Sequence, residues 1–166
     1  MPRIHTAPPP QNFIIGIFLF MVAVVVSVAP IAIIYRSAGI LFTAYLAFSY
    51  SGSAFAYMIV LFAPCVGLIS GEPDWLVMLP VMLSAGLLAI IGMDYGWRYG
   101  ALLISPVLHL VPQVFVWQMS QRQLFAVALP WGGDPQEWLQ WHGLSAVLGV
   151  LLAVVLDRRR EKLEQA

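Results

Sequence analysis

The residue most suited to chemistry in this chain is a histidine at the centre of a long apolar stretch. His109 lies in the middle of the segment Tyr99–Met119, about 15 Å from either end by the helical rise. Ser105 stands four residues before it and Gln113 four residues after it, so a helix places the three side chains on one face. Ionisable side chains at such a depth in a membrane are rare and are by default candidates for function.

This polar face extends to Arg98 at one end of the segment, and it suits several kinds of chemistry. It would line a small-molecule cavity, carry protons because imidazole titrates near neutral pH, or ligate a metal or haem. The structural alternative is a neutral His109 that hydrogen-bonds a neighbouring helix. The chain therefore offers a ligand-binding set without an assigned catalytic residue: Ser105, His109, Gln113, Arg98 and His142.

A metal or haem site would need a second ligand besides His109. His142 is the other histidine within an apolar stretch, and we expect it near the outer end of the last helix. Its depth would then differ from that of His109 by about 8 Å, whereas a haem held by two histidines needs both at one depth. We therefore predict no metal site, and the sequence leaves any cofactor unknown.

Lipid is the solvent that the composition predicts for most of the chain. Hydrophobic residues make up 61% of the 166 residues and charged residues only 10%, whereas a soluble domain carries about 25% charged residues. We expect an all-α, polytopic integral membrane bundle of five or six transmembrane helices in contact with the lipid bilayer. The charges sum to zero and form no basic stripe, which argues against nucleic acid as a partner.

The predicted bundle covers residues 13–156, between a Pro-rich tail over residues 1–12 and a charged tail over 157–166. The stretch Ser37–Gly71 would exceed about 50 Å as one helix, so we divide it at Ser51-Gly52-Ser53. Its first half, Ala38–Tyr50, either crosses the membrane or is a re-entrant segment, which leaves the number of spans open. The other predicted spans are Phe13–Ile34, with Pro30 bending its end, then Ala54–Ser70, Trp75–Met93, Tyr99–Met119 and Glu137–Leu156.

Basic residues predict the orientation of the bundle. Four of them stand in the C-terminal tail, which the positive-inside rule places in the cytoplasm: Arg158, Arg159, Arg160 and Lys162. The acidic loop Gly71–Asp74 and the loop Ser120–Gln136 then lie outside, and the latter would cover a cavity between the later spans. We expect the protein in a bacterial inner membrane.

The layout resembles that of the MreD family of rod-shape membrane proteins, in length, span number and basic C-terminal tail. The segment from Tyr35-Arg36 to Leu68-Ile69-Ser70-Gly71 looks like the second and third spans of that family. The family commonly has an acidic residue just before that Ser-Gly, and Cys65-Val66-Gly67-Leu68 has none. Size and span number are also similar to those of the substrate-binding components of energy-coupling-factor vitamin transporters.

Three functions are compatible with these patterns. The first is a non-enzymatic subunit or scaffold of a larger membrane complex, with other membrane proteins as partners, as the MreD resemblance implies. The second is a small-molecule-binding or transport component with an intramembrane cavity around His109. The third is a membrane redox or metal enzyme that uses His109 and His142. The absence of a recognisable catalytic motif favours the first.

Overall fold

The described part of the chain is an all-α membrane bundle of six helices. The computed structural model describes residues 10–96, 100–122, 124 and 134–164, and these residues contain no β-strand. A short 3-10 turn, Gly67–Ser70, joins the third helix to the fourth. The helices are α1 (Pro10–Val28), α2 (Ile33–Ser51), α3 (Ser53–Val66), α4 (Pro73–Tyr95), α5 (Ala101–Gln121) and α6 (Pro135–Glu164).

Among the residues that the structure describes, four helical segments are long and apolar enough to cross a membrane. They are Ser53–Ser70, Pro73–Tyr95, Ala101–Gln121 and Pro135–Asp157. The apolar part of α1, Asn12–Val28, is shorter. The second helix is more polar, but most of its side chains are buried against α1, α3 and α6. These neighbours therefore shield α2 from lipid, and the bundle is built around it.

Hydrogen bonds between helices fix their directions. Ser51 Oγ donates to the carbonyl of Asn12 at 2.7 Å, and Arg36 Nη1 donates to that of Ser27 at 3.3 Å. The start of α1 therefore lies beside the end of α2, and these two helices are antiparallel.

The second and last helices run parallel. Ser145 Oγ donates to the carbonyl of Ala38 at 2.9 Å, and Ser49 Oγ donates to that of Ala153 at 3.2 Å. The start of α1 and the C-terminal part of α6 consequently lie at one end of the bundle. This arrangement is an up-and-down bundle in which both halves of Ser37–Gly71 traverse the fold.

The predicted break between α2 and α3 is confirmed at Gly52. Its φ of 93° is a left-handed value that residues with a Cβ rarely adopt, and α2 ends at Ser51 while α3 begins at Ser53. The predicted short helix Ala38–Tyr50 is in fact the longer α2, which begins at Ile33.

The predicted end of the first span is wrong, whereas the predicted end of the last span, Leu156, agrees with the candidate span Pro135–Asp157 to within one residue. The first helix ends at Val28 and not at Ile34, since Pro30 lacks an N–H and stops the helix rather than bending it. The last helix continues beyond the end of its span to Glu164, through the charged tail. Charged side chains sustain a helix in water as well as apolar ones do in lipid, so hydrophobicity alone cannot locate its end.

Candidate functional site

A small cavity lies in the centre of the bundle, between α2, α3, α4, α5 and α6. The volume of this cavity that the centre of a water molecule can occupy is about 20 Å³, so the cavity has room for about one water. One wall is apolar and includes Val60, Pro64, Met82 and Gly86. The other wall consists of five polar or polar-tipped side chains, here called the central polar cluster: Ser37, His109, Gln113, Trp138 and His142.

The orientation of Gln113 follows from its contact with Trp138. The indole Nε1 of Trp138 lies 2.7 Å from Gln113 Oε1, and an indole nitrogen can only donate. The amide nitrogen of Gln113 therefore faces His109, where it lies 2.9 Å from the ring Nε2 and 3.1 Å from the backbone carbonyl. Its two hydrogens satisfy both acceptors, so His109 Nε2 carries no proton.

The proton of His109 must then reside on its other ring nitrogen. Nδ1 lies 3.1 Å from the carbonyl of Ala85 on α4, and this carbonyl can only accept a hydrogen bond. A neutral His109 thus donates from Nδ1 to α4 and accepts at Nε2. Trp138, Gln113 and His109 form one directed chain of hydrogen bonds that joins α6, α5 and α4.

The second histidine completes the cluster. Nδ1 of His142 lies 3.0 Å from His109 Nε2, and Nε2 of His142 lies 2.9 Å from Ser37 Oγ on α2. Ser37 Oγ is also 2.8 Å from the carbonyl of Ile33 and 3.1 Å from that of Ile34. The hydroxyl has a single hydrogen, so it donates either to His142 or to its own helix.

The ring of Trp138 stacks on that of His142, and the ring of His109 lies edge to edge with that of His142 in nearly the same plane. The centroids of Trp138 and His142 are 4.6 Å apart with an interplanar angle of 18°, and those of His109 and His142 are 5.2 Å apart at 21°. The exposed fraction is 2% or less for each of the three side chains. Stacking and hydrogen bonds thus hold both imidazoles in fixed orientations away from solvent.

Three of the five sequence-predicted ligand residues meet at this cavity: His109, Gln113 and His142. Ser105 is buried on the same face of α5, but it does not line the cavity. Its hydroxyl lies 2.8 Å from Tyr45 Oη and donates to the carbonyl of Ala89 at 2.7 Å. Arg98, the fifth, lies outside the described residues, as does most of the predicted cover Ser120–Gln136.

The predicted difference in depth between the two histidines is wrong. Their rings are in contact because the first turn of α6 is level with the middle of α5, where Trp138 bonds Gln113. The last two turns of α5, up to Gln121, extend beyond the start of α6. A depth counted from the nearest loop assumed that the two helices begin and end at the same level.

Ser37 and Trp138 are members of the cluster that the sequence did not indicate. Trp138 stands four residues before His142, which is the same-face spacing that grouped Ser105, His109 and Gln113. That spacing was a usable signal, although tryptophans near a span end are typical interface anchors. Ser37 had no comparable signal, because only the parallel packing of α2 and α6 brings it to the cavity.

An ion pair lies near the Ser37 end of α2. The guanidinium of Arg36 is 1% exposed, bonds Glu72 and lies 4.5 Å from the ring centroid of Trp75. The indole Nε1 of Trp75 donates to the carbonyl of Pro64, which lines the cavity, at 2.7 Å. Arg36 Nε is buried without a hydrogen-bond partner within the described part of the chain. Arg36, Glu72 and Trp75 thus pack beside the central polar cluster on the acidic-loop side.

The residues that the structure describes contain no group of three or more His, Cys, Asp or Glu side chains placed to hold a metal ion. The cluster itself supplies two imidazoles, which already bond each other. Comparisons with known proteins found no matching family model, no matching curated protein and no matching solved structure. The resemblances to MreD and to the vitamin-transporter components therefore stay expectations from layout.

Proposed function

We propose that this protein is a small-molecule-binding or transport component of a membrane, and that the central polar cluster is its binding site. One observation carries the proposal. Five polar or polar-tipped side chains from α2, α5 and α6 converge on a single cavity whose remaining wall is apolar. A pocket with an apolar lining and a few convergent polar groups is the usual form of a small-molecule site.

The energetic balance of the cluster supports a binding role over simple packing. A bond between polar side chains of neighbouring membrane helices contributes only about 0.6 kcal/mol on average. One such bond would suffice as glue, whereas this cluster uses two ionisable rings, an amide, an indole and a hydroxyl. Leu or Ile would fill the same volume without any requirement for exact bonding geometry.

The chemistry of the cavity restricts the ligand. Gln113, Trp138 and both histidines already bond one another, so a ligand must exchange hydrogen bonds with them rather than meet unpaired groups. The apolar wall favours a molecule with a hydrocarbon part on the opposite side. The cavity as it stands has room for about one water, so a larger ligand must displace side chains of the apolar wall when it binds. We expect a small amphipathic molecule that carries both donors and acceptors.

Thermal unfolding in detergent with a panel of small molecules tests the proposal. A ligand at one hundred times its Kd stabilises a protein by about 2.7 kcal/mol, which is a measurable shift in Tm. His109→Leu removes a ring at the centre of the cluster and should abolish the shift. Val111→Leu is the matched control, because it lies on the same helix with half of its side chain exposed. An equal shift in His109→Leu would refute the assignment of the site.

A role as a subunit or scaffold in a larger complex stays a prediction from the sequence. The outward faces of α1 and α5 are apolar, with exposed side chains such as Phe18 and Leu103, and lipid alone accounts for them. A redox or metal enzyme likewise stays a prediction. Its test is whether a purified sample carries a chromophore or a bound metal.

A further inference from the structure

We propose that the two buried histidines form a one-proton site, in which His142 Nε2 takes up the proton and Ser37 changes from hydrogen-bond donor to acceptor. The proposal rests on the proposed function for its role, which is to couple ligand binding to a proton. The site itself rests on the hydrogen-bond geometry of His109, His142 and Ser37. The proton is then a second ligand of the central polar cluster, in addition to the small molecule proposed above.

With both rings neutral, the bonds allow one arrangement of hydrogens. His109 Nε2 is an acceptor, because the amide of Gln113 donates to it. Nδ1 of His142, 3.0 Å away, must therefore carry a hydrogen, since two bare nitrogens at that distance repel. Nε2 of His142 is then the acceptor for the hydroxyl of Ser37. Both rings are thus fixed in the Nδ1–H tautomer.

One nitrogen of the pair can take a further proton without movement of any heavy atom. His142 Nε2 meets only Ser37 Oγ, and this hydroxyl has the Ile33 carbonyl as an alternative acceptor at 2.8 Å. When Nε2 gains a proton, the hydroxyl rotates, donates to Ile33 and accepts from the ring. Every polar atom of the cluster keeps a partner before and after, so the proton adds a charge but breaks no network.

The same geometry excludes a second proton. His109 Nε2 already faces N–H groups of both Gln113 and His142, so an added hydrogen there would meet two donors. A second charge would also lie close to the first, because the ring centroids are 5.2 Å apart. Like charges that close disfavour each other strongly in a buried site. The pair therefore holds at most one proton.

Few other ionisable groups face the site. On α2, Arg36 precedes Ser37 but bonds Glu72, and the Tyr45 hydroxyl bonds Ser105. The other helices bring to the cavity, besides the two histidines, only residues that do not titrate: Val60, Pro64, Val81, Met82, Ala85, Gly86, Gln113 and Trp138. No carboxylate lines the described cavity, so a bound anion is what would offset the charge of the loaded proton.

Nitrogen-15 NMR of the full chain, labelled at histidine and held in lipid nanodiscs, tests the site directly, since ring shifts report both tautomer and charge. His5→Gln removes the third histidine signal and leaves the pair intact. At about pH 8, both remaining rings should be in the Nδ1–H form. On acidification of the folded protein, a single ring should become imidazolium, and His109→Gln identifies it as His142.

Three results would overturn the proposal: an Nε2–H tautomer in either ring, two imidazolium signals in the folded protein, or no uptake before unfolding. Ser37→Ala removes the positioning hydroxyl and should weaken proton binding several-fold, because hydrogen bonds to charged groups are about twice as strong as neutral ones. Ser37→Thr keeps the hydroxyl and should load as the parent chain does. Equal proton uptake by the parent protein, Ser37→Ala and Ser37→Thr would contradict the role of Ser37.

The proton site and the proposed function are tested by separate measurements, so either one can be refuted while the other holds. The NMR measurement needs no ligand, so a proton count of zero removes the proton site while a stabilising small molecule can still bind. Conversely, a loaded pair in a protein that no small molecule stabilises removes the proposed function and leaves the proton site in place. The two proposals are therefore decided by independent data.

Discussion

His109 Nε2 and His142 Nδ1 lie 3.0 Å apart, although the two residues are 33 positions apart in the chain. Their contact joins α5 to α6, and each ring also bonds a third helix, through Ala85 on α4 or Ser37 on α2. Four helices are consequently linked through two imidazoles. A change in the charge or hydrogen bonding of either ring must therefore alter the contacts between these four helices at the centre of the bundle.

Loss of the Trp138 N–H should destabilise the cluster. Trp138→Phe keeps a stacking ring but leaves Gln113 Oε1 buried without its donor, which should lower the free energy of unfolding by about 1–3 kcal/mol. Trp141→Phe is the matched control, because that ring is 41% exposed and pairs edge-on with Tyr35. Unfolding in detergent measures both, and equal losses would mean that the indole bond is not structurally important.

Removal of Glu72 should leave a buried charge without its partner. In Glu72→Ala, Arg36 remains 1% exposed with no carboxylate beside it, and we expect a loss of about 1–3 kcal/mol in the free energy of unfolding. Asp74→Ala deletes an exposed carboxylate in the first turn of α4 and should cost less than about 1 kcal/mol. If the two variants unfold alike, the ion pair contributes nothing specific.

Close packing of α4 on α5 should make Gly92 intolerant of a side chain. A Cβ at Gly92 would lie 2.8 Å from Ser105 Cα, and backbone cannot move aside without shifting the helix. Gly92→Ala should therefore destabilise the bundle by about 1–3 kcal/mol. The control, Gly143→Ala, meets only Leu110 Cδ1 at 3.7 Å and should be neutral or slightly stabilising. The reverse order of stabilities would contradict this helix contact.

The up-and-down arrangement predicts which groups share a side of the membrane. In a chain with Cys65→Ser, a thiol at Asp74→Cys should react with an impermeant reagent added to intact cells. A thiol at Arg159→Cys should react only after the cells are opened, because the basic tail is expected in the cytoplasm. Labelling of both from outside would contradict the six-helix arrangement, and the reverse pattern would invert the orientation.

The sequence predicted the class of fold well because lipid imposes a simple rule on composition. Long apolar stretches, the glycine break at Gly52 and the polar face of α5 were all visible in the order of residues. The ends of α1 and α6 were not, because a proline can bend or stop a helix and charged residues can continue one. Pro30 stops its helix here, and the charged tail extends α6 to Glu164.

The site was only partly visible for a different reason. His109, Gln113 and Ser105 share a face by local spacing, so the sequence alone could group them. His142 and Ser37 reach the same cavity through the levels at which α2, α5 and α6 pack, and no local pattern encodes those levels. Three-dimensional packing also separated Ser105 from the group, since its hydroxyl bonds Tyr45 and Ala89 instead.

Native mass spectrometry of the intact protein, released from mild detergent after purification from native membranes, tests the central claim most directly. A binding or transport component should appear as this chain plus one bound small molecule, and His109→Leu should appear without that added mass. Val111→Leu should retain it. A chain that carries no small molecule but holds other proteins in fixed stoichiometry would contradict the claim and establish a subunit of a larger complex.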